Sequence, residues 1–111
     1  MATARLDKNQ WQAYFDMMSK EMKNKRAEIE VASLDIGDQI EAEWLPLFGI
    51  TYDPKSDVAE IVLEGLDHMI PKPKDIYVDA TGFDLSSVDV IDAEGRHCIV
   101  RLRDPLRLPA P

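Results

Sequence analysis

The chain has 111 residues, of which 45% are hydrophobic and 31% are charged, and its formal net charge at pH 7 is −8. This length and composition predict a single globular domain over residues 1–111 with no membrane-spanning segment, since no apolar run approaches the roughly 20 residues that a bilayer requires. The acidic balance argues against nucleic acid as a partner, because phosphate contacts require clustered Lys and Arg.

Two further features indicate the compartment. The single cysteine, Cys98, excludes an internal disulfide and a cysteine-based zinc site. The first residues, MATARLDKNQ, contain no apolar stretch typical of a signal peptide. We therefore expect a cytoplasmic protein.

The charges are unevenly distributed along the chain. Residues 1–26 carry a net charge of +3, residues 27–95 carry −14, and residues 96–111 carry +3. A basic start and a basic end thus flank an acidic middle. The simplest interpretation is that both ends fold back and are partly neutralised by the body, and the alternative is a charged partner surface.

The first predicted element is a helix over about residues 8–24. Five large apolar residues recur there at the spacing that places them on one helical face: Trp11, Tyr14, Phe15, Met18 and Met22. Asp7 fits the N-cap position, with Gln10 completing a capping box. Leu6 and Trp11 stand at the two positions of a hydrophobic staple.

From residue 27 to about residue 103 the pattern predicts antiparallel strands. AEIEVAS and QIEAEWL alternate strictly between apolar and polar residues, which is typical of half-buried strands, and LDIGD supplies the turn between them. Pro46 has no backbone N–H, so the second strand should end or bulge there. If anything in this stretch is special, we expect it at this bend.

The remaining strands are short. FGITYD and DVAEIVLEG predict a hairpin around residues 53–56, and SSVDVID and RHCIVRL predict another across residues 93–95. Between them lie LDHMI and DIYVD, separated by PKPK, which we expect to be an exposed loop outside the sheet. Residues 80–84 should form a further loop, and residues 104–111 a proline-rich extended tail.

The predicted fold class is α+β, with the N-terminal amphipathic helix packed on a strongly bent antiparallel sheet or half-barrel of about six to seven short strands. One helix covers only part of so large a sheet. The sheet must therefore curl on itself, or the chain must associate with a partner, to bury the remaining apolar surface.

Four glutamates form the most suggestive cluster. If the first two strands pair, alternation places Glu28, Glu30, Glu41 and Glu43 on one face, where they could bind a divalent metal or form a dyad with one raised pKa. The pleat produces the same spacing without any function, so a solvated sheet face is the favoured interpretation.

Two other pairs of residues deserve weighing. Asp67 and His68 are adjacent, but neighbours on a strand point to opposite faces, so we expect a partly buried histidine and no catalytic dyad. Arg101 and Arg103 lie two apart on the last strand and should neutralise the glutamate face if that strand adjoins it. The alternative for these arginines is an anion-binding pair. Cys98 alternates with apolar residues and is predicted to be a small core residue.

No motif assigns a catalytic residue, a metal site or a cofactor. The chain lacks a glycine-rich phosphate loop, H-E-x-x-H, G-x-S-x-G, C-x-x-C and an EF-hand loop, and it has only two histidines. Catalytic groups often converge from distant segments, so these absences reduce the case for an enzyme without removing it.

The string AEIEVASLDIGDQIEAEWLPLFGITYDPKSD, with EGLDHMIPKPKDIYVD and RDPLRLPAP after it, resembles a family of small bacterial proteins classed only as a domain of unknown function. The resemblance covers nearly the whole chain and is most specific in EAEWLPL, GITYDP, EGLDH and IVRLRDPL. It implies a bacterial, single-domain protein and carries no catalytic residues with it. YDPKSDVAEIVLEG is more loosely similar to another uncharacterised bacterial β-rich family.

These observations favour a non-enzymatic protein-interaction or accessory module that associates with itself or with a protein partner. The alternative is a small-molecule-binding or metal-dependent enzyme that uses the carboxylate-rich face. Six residues are the candidates for binding: Glu41, Glu43, Asp67, His68, Arg101 and Arg103.

Overall fold

The computed structural model describes residues 2–23, 25–34, 37–82 and 84–104. Within these ranges the chain forms one α-helix, α1, and eight β-strands, β1–β8. The elements in chain order are β1 (Ala2–Arg5), a 3₁₀ turn (Lys8–Gln10), α1 (Trp11–Met22), β2 (Arg26–Ser33), β3 (Gly37–Asp53), β4 (Val58–Leu63), β5 (Leu66–Pro71), β6 (Pro73–Thr81), β7 (Asp84–Asp92) and β8 (His97–Arg103).

The strands form one antiparallel sheet in the order β1-β6-β7-β8-β2-β3-β4-β5. It curls around α1 without closing, so β1 and β5 are its two edges. This confirms the α+β class and the bent sheet, but the described residues contain eight strands where the sequence predicted six to seven. The additional strand is β1, whose four residues are too short for a recognisable period.

Strand β3 connects the two halves of the sheet. Its first part pairs with β2 and its last part, from Leu47 onward, pairs with β4. Register shifts precede and follow Pro46, and Trp44 adopts a left-handed φ of 51°. The strand therefore becomes irregular at this point without ending, which is one of the two outcomes predicted from the missing N–H of Pro46.

The core lies between α1 and the concave side of the sheet. The predicted helical face is buried, with Trp11, Phe15, Met18 and Met22 at most 1% exposed. Alternate residues of the strands point to the same core, among them Ile29, Ile61, Ile76, Val88 and Val100, which define what we call the inner face of the sheet. The opposite side is the outer face.

The helix start differs in detail from the prediction. Asp7 occupies an N-cap position, but its side chain makes no capping hydrogen bond, so the capping box is not formed. The first three residues adopt a 3₁₀ turn, and α1 begins at Trp11. The expected neighbourhood of Leu6 and Trp11 is present, since the indole Nε1 donates to the Leu6 carbonyl at 3.2 Å and Leu6 packs against the core.

The prediction that PKPK lies outside the sheet is wrong. Pro71 ends β5 and the buried Pro73 begins β6, so only Lys72 separates the two strands. Proline is tolerated at these positions because edge strands and first residues need no ladder N–H. The Lys72 N–H donates to the Asp57 carbonyl at 2.8 Å, and its carbonyl accepts from the Ala93 N–H at 3.0 Å.

Aspartates close both predicted hairpins. Asp53 accepts from the Lys55 N–H at 2.9 Å and from the Ser56 hydroxyl at 3.0 Å, and Asp92 accepts from the Glu94 and Arg96 amides at 2.9 and 3.0 Å. These are side-chain turns of the kind that Asp favours. The predicted loop at residues 80–84 is shorter, because β6 extends to Thr81 and β7 begins at Asp84.

Two predictions lie wholly or largely outside the described residues: the centre of the LDIGD turn (residues 35–36) and the proline-rich tail from residue 105 onward. Among the residues that are described, no helix has the length and apolar character needed to span a membrane.

The closest approach between α1 and the sheet can be tested at Gly49. A Cβ at this position would lie 3.3 Å from the Ser19 Oγ, which is itself held 2.7 Å from the Phe15 carbonyl and 3.2 Å from the Ile50 carbonyl. We expect Gly49→Ala to lower the free energy of unfolding by about 1 kcal/mol, because the added methyl group displaces the helix.

Ser19→Ala removes the crowded oxygen and serves as the matched background. In urea denaturation, Gly49→Ala should cost less in Ser19→Ala than in the wild type, with a coupling of about 0.5–1 kcal/mol. Equal costs in both backgrounds would show that this contact does not set the helix position.

Candidate functional site

A groove of about 540 Å³ opens where the curled sheet brings β5 towards the turn between β7 and β8. Its walls are β5 on one side and residues 92–97 on the other, and the Lys72–Ala93 hydrogen bond closes one end. Val31, Ile70 and Cys98 provide an apolar floor, and no residue of α1 lines it. The groove is the part of the inner face that the helix leaves uncovered.

His68 lines this groove from the inner side of β5. It is the register partner of the buried Ile61, which fixes the face to which it points. Burial lowers the pKa of the His68 imidazole below its usual value, and the negative charge of Glu41 opposes this shift. The predicted partly buried histidine is confirmed, and its ring is held towards the neutral form.

Glu41 reaches the same groove because the β2–β3 ladder shifts register. Ile29 pairs with Ala42 and Glu30 pairs with Ile40, so Glu41 is an additional residue in β3. Its side chain lines the groove with His68 and Cys98. The expectation that Glu41 shares a face with Glu28 and Glu30 is therefore wrong, because the bulge breaks the strict alternation on which it relied.

Cys98 is a core residue, as predicted, with only 5% of its surface exposed. Burial, reinforced by the charges of Asp89 and Glu41, raises the pKa of its thiol to about 12. The sulfur is therefore a protonated thiol at neutral pH and lacks the thiolate that nucleophilic chemistry requires.

The second histidine, His97, also borders the groove but has a separate partner. Its Nδ1 lies 2.9 Å from the Asp89 Oδ2. Each histidine thus has its own carboxylate neighbour. Within the described ranges, no three His, Cys, Asp or Glu side chains are placed to hold a metal ion.

The edge of β5 is the least satisfied part of the backbone along the groove. Pro71 has no N–H, yet it is the register partner of Val58, and a proline fits there only if its backbone faces away from β4. Because backbone groups alternate along a strand, those of Asp67 and Met69 also face away from β4. In the described part of the chain β4 is the only strand that pairs with β5.

Asp67 and Met69 carry their side chains on the outer face, opposite to His68. Asp67 is exposed and pairs in register with Val62, so it cannot form a dyad with His68, as expected from alternation. Met69 is 60% exposed, which is unusual for a large apolar side chain. Both residues thus stand beside free backbone groups.

On the outer face of the other half of the sheet, Arg101 bridges two of the glutamates. Its Nη1 donates to the Glu28 Oε1 at 3.0 Å and to the Glu30 Oε1 at 2.8 Å. The hydrogen bond from Arg101 lowers the pKa of Glu30, and the hydrogen bond with Glu30 raises the pKa of Asp38. The predicted pairing between the last strand and the glutamate face is confirmed for Arg101.

Arg103 does not join this pairing. Its guanidinium lies 3.9 Å from the centre of the Trp44 ring, and the neighbouring Arg26 donates from Nη1 to the Trp44 carbonyl at 3.1 Å. Glu43 is exposed and forms no ion pair among the described residues. The six candidate residues are therefore divided between the groove, the β5 edge and the outer face.

Sequence reasoning did not find the groove as a unit. His68, Glu41 and Cys98 come from three strands that are distant in sequence, and only the order of the strands brings them together. Nothing in the local pattern of QIEAEWL distinguishes a bulge from regular alternation before the partner register is known.

The environment of His68 can be tested by NMR titration. We expect its pKa to lie below the usual histidine value and to fall further in Glu41→Gln, because that substitution removes the charge that favours the imidazolium. Glu43→Gln, which alters an exposed carboxylate on the same strand, should leave it unchanged. Since the folded-state pKa is lowered, the contribution of His68 to stability is present above its unfolded pKa and is lost as the pH falls through the folded pKa. An unchanged His68 titration in Glu41→Gln would contradict the proximity of these two groups.

Comparisons with known proteins extend over the whole chain. An uncharacterized protein of Aquifex aeolicus (strain VF5) is 43% identical over 110 residues, which cover 98% of this chain and 99% of that protein. No solved structure shows a significant match to this chain. The match to the family model spans residues 2–111, and the chain therefore belongs to the Family of unknown function (DUF5335).

Proposed function

We propose that this protein is a single-domain, non-enzymatic protein-binding module that adds an extended segment of a partner as a further strand beside β5. The observation that carries the proposal is the free edge of β5, where the backbone groups of Asp67 and Met69 face away from β4 along an open groove. Addition of a strand supplies hydrogen bonds to such groups, and adjacent pockets select the side chains of the segment.

The dimensions of the edge suit a short segment. Six residues of β5 extend over about 20 Å at the usual rise of a strand. Natural proteins usually protect such an edge with charged side chains, prolines, a covering element or a bulge, and β5 carries a proline, Pro71, at its last position. Here the described elements leave it uncovered, and Met69 adds an exposed apolar contact. An edge in this state is a template for pairing.

The side chains beside the edge indicate the chemistry of the partner. On the inner side, a bound strand would face the apolar floor at Val31, Ile70 and Cys98, which favours small or medium apolar residues. On the outer side it would pass Asp67 and Met69, the latter in register with Glu60. This surface favours a basic residue beside an apolar one. We therefore expect a segment whose side chains on the inner side are apolar and whose side chains on the outer side are basic or apolar.

The alternative, an enzyme that uses a carboxylate-rich face, has less support from the geometry. It requires the glutamates to converge with His68 or with the arginines. Arg101 forms ion pairs with Glu28 and Glu30 on the outer face, whereas Glu41 and His68 lie in the groove on the inner side. The glutamates therefore do not converge on one site.

We also propose a cytoplasmic location. It is supported by the buried free thiol of Cys98, because thiols persist in reducing compartments.

Peptide selection tests the binding proposal. Peptides selected from a random library on the wild-type protein should perturb the amide signals of Asp67 and Met69 and slow their hydrogen exchange. Met69→Pro should weaken binding of these peptides at least about tenfold, because proline removes an outward N–H while leaving the pairing with β4 intact. Met69→Ala keeps that N–H and serves as the matched control, with a loss of only a few fold expected.

Several outcomes would contradict the proposal. Equal binding by Met69→Pro and the wild type, or amide perturbations confined to another surface, would exclude strand addition at β5. Thermal unfolding of each variant shows whether it is folded. Size-exclusion chromatography with light scattering tests whether the added strand comes from a second copy of the chain. If the wild type is a dimer and Met69→Pro is a monomer, self-association at β5 replaces the proposed partner protein.

A further inference from the structure

The two basic segments of the chain meet at one point on the outer face. Arg26 ends the first of them and Arg103 belongs to the second, and they are direct register partners in the β2–β8 ladder. Directly opposed residues on neighbouring strands have Cβ atoms about 4.5–5.5 Å apart, and like charges at this distance are destabilising. The fold therefore places two positive charges together, whereas the simplest interpretation of the charge distribution was that the body partly neutralises both basic ends.

Neither arginine has a carboxylate partner within the described residues. Three other described arginines do, since Arg5 binds Asp75, Arg96 binds Glu94, and Arg101 binds Glu28 and Glu30. The Nε of Arg103 is buried and has no hydrogen-bond partner among the described groups. Both residues are partly exposed, and the terminal Nη groups of two adjacent guanidinium groups can donate to one anion.

Trp44 orients both side chains. Its ring stacks under the Arg103 guanidinium at 3.9 Å, and its carbonyl accepts from the Arg26 Nη1 at 3.1 Å. The residue adopts a φ of 51°, a conformation that bulky side chains rarely occupy. Stacking fixes the plane of a guanidinium and so reduces the entropy that ligand binding must overcome.

We propose that Arg26 and Arg103, with Trp44 as the base, form a binding site for a phosphate group. Two adjacent positive charges match a dianion, and a phosphate monoester carries a charge of about −1.5 to −2 at neutral pH. A carboxylate, with a single negative charge, balances only one of these two positive charges. The planar donor forks of two arginines can grip separate oxygens of one phosphate. The site lies on the outer face, away from the groove, and does not depend on strand addition at β5.

The neighbouring acidic residues do not remove this positive charge. Glu28 and Glu30 are the nearest glutamates along β2 and share the single positive charge of Arg101, so one negative charge stands beside the two positive charges of Arg26 and Arg103. The net charge of −8 acts over distances at which salt screens it, since the Debye length is about 8 Å at physiological ionic strength. Local pairing therefore decides the sign of the site.

Titration with inorganic phosphate at constant ionic strength tests the proposal. The signal is the NMR resonance of the Arg103 Nε–H, supported by the fluorescence of Trp44. We expect saturable binding that weakens about tenfold in Arg26→Gln and in Arg103→Gln, because each removes one charge and one donor fork. Arg5→Gln, which changes an arginine on the edge strand β1 far from this site, is the matched control and should change the affinity less than about twofold.

Two comparison ligands distinguish the chemistry. Acetate should bind more weakly than phosphate, since it carries a single charge, and O-phosphoserine should bind at least as well as inorganic phosphate if the site accepts a phosphate ester. Arg103→Lys, which keeps the charge but loses the fork, covers the case in which Arg103→Gln is unfolded, and it should also weaken binding. The proposal is overturned if chloride alone reproduces the signal change, or if Arg5→Gln weakens binding as much as Arg26→Gln.

Discussion

The bend in β3 is the constraint on which the rest of the structure depends. One continuous strand pairs with β2 through its first half and with β4 through its second, and the register shifts around Pro46 change its direction between them. A regular strand would hold β4 and β5 in the plane of the other strands. The register shift between Ala42 and Leu45 contains Trp44, whose ring lies beneath Arg103, and a separate shift at Glu41 turns that side chain towards the groove. The irregularities of this one strand thus contribute to the core, to the groove and to the surroundings of the arginine pair.

The two faces of the sheet treat charge differently because they differ in access to water. On the inner side, burial keeps Cys98 protonated and opposes the charged form of His68, so the groove presents mainly apolar side chains and free backbone groups. On the outer side, the charged groups form hydrogen-bonded pairs such as Arg101 with Glu30, and solvent limits the strength of each. On this face the register of the strands decides which charged groups are paired. Arg26 and Arg103 are left without a carboxylate partner among the described residues.

The elements with a strong period or a specific turn residue were predictable from the sequence. The apolar face of α1, the two Asp-closed hairpins and the buried Cys98 all follow from local patterns that the structure preserves. Strand β1 was missed because four residues carry no period, and PKPK was misassigned because proline at an edge is indistinguishable locally from proline in a loop. Site residues depended on pairing: the contact of Arg101 with Glu28 follows from strand order, whereas the face of Glu41 follows from a bulge that only the register reveals.

Lys72 is the single residue between β5, the last strand of the β4–β5 hairpin, and β6, where the chain enters the other half of the sheet. Its N–H and carbonyl bind Asp57 and Ala93, so one peptide segment joins the tips of two hairpins. The width of the groove is accordingly set by a fixed covalent length and two hydrogen bonds, with no flexible linker between the walls. Insertions should be tolerated in the solvent-facing hairpin turns but not here, where one additional residue would release both walls at once. The rim of the groove can therefore change in length while the span of the groove stays constant.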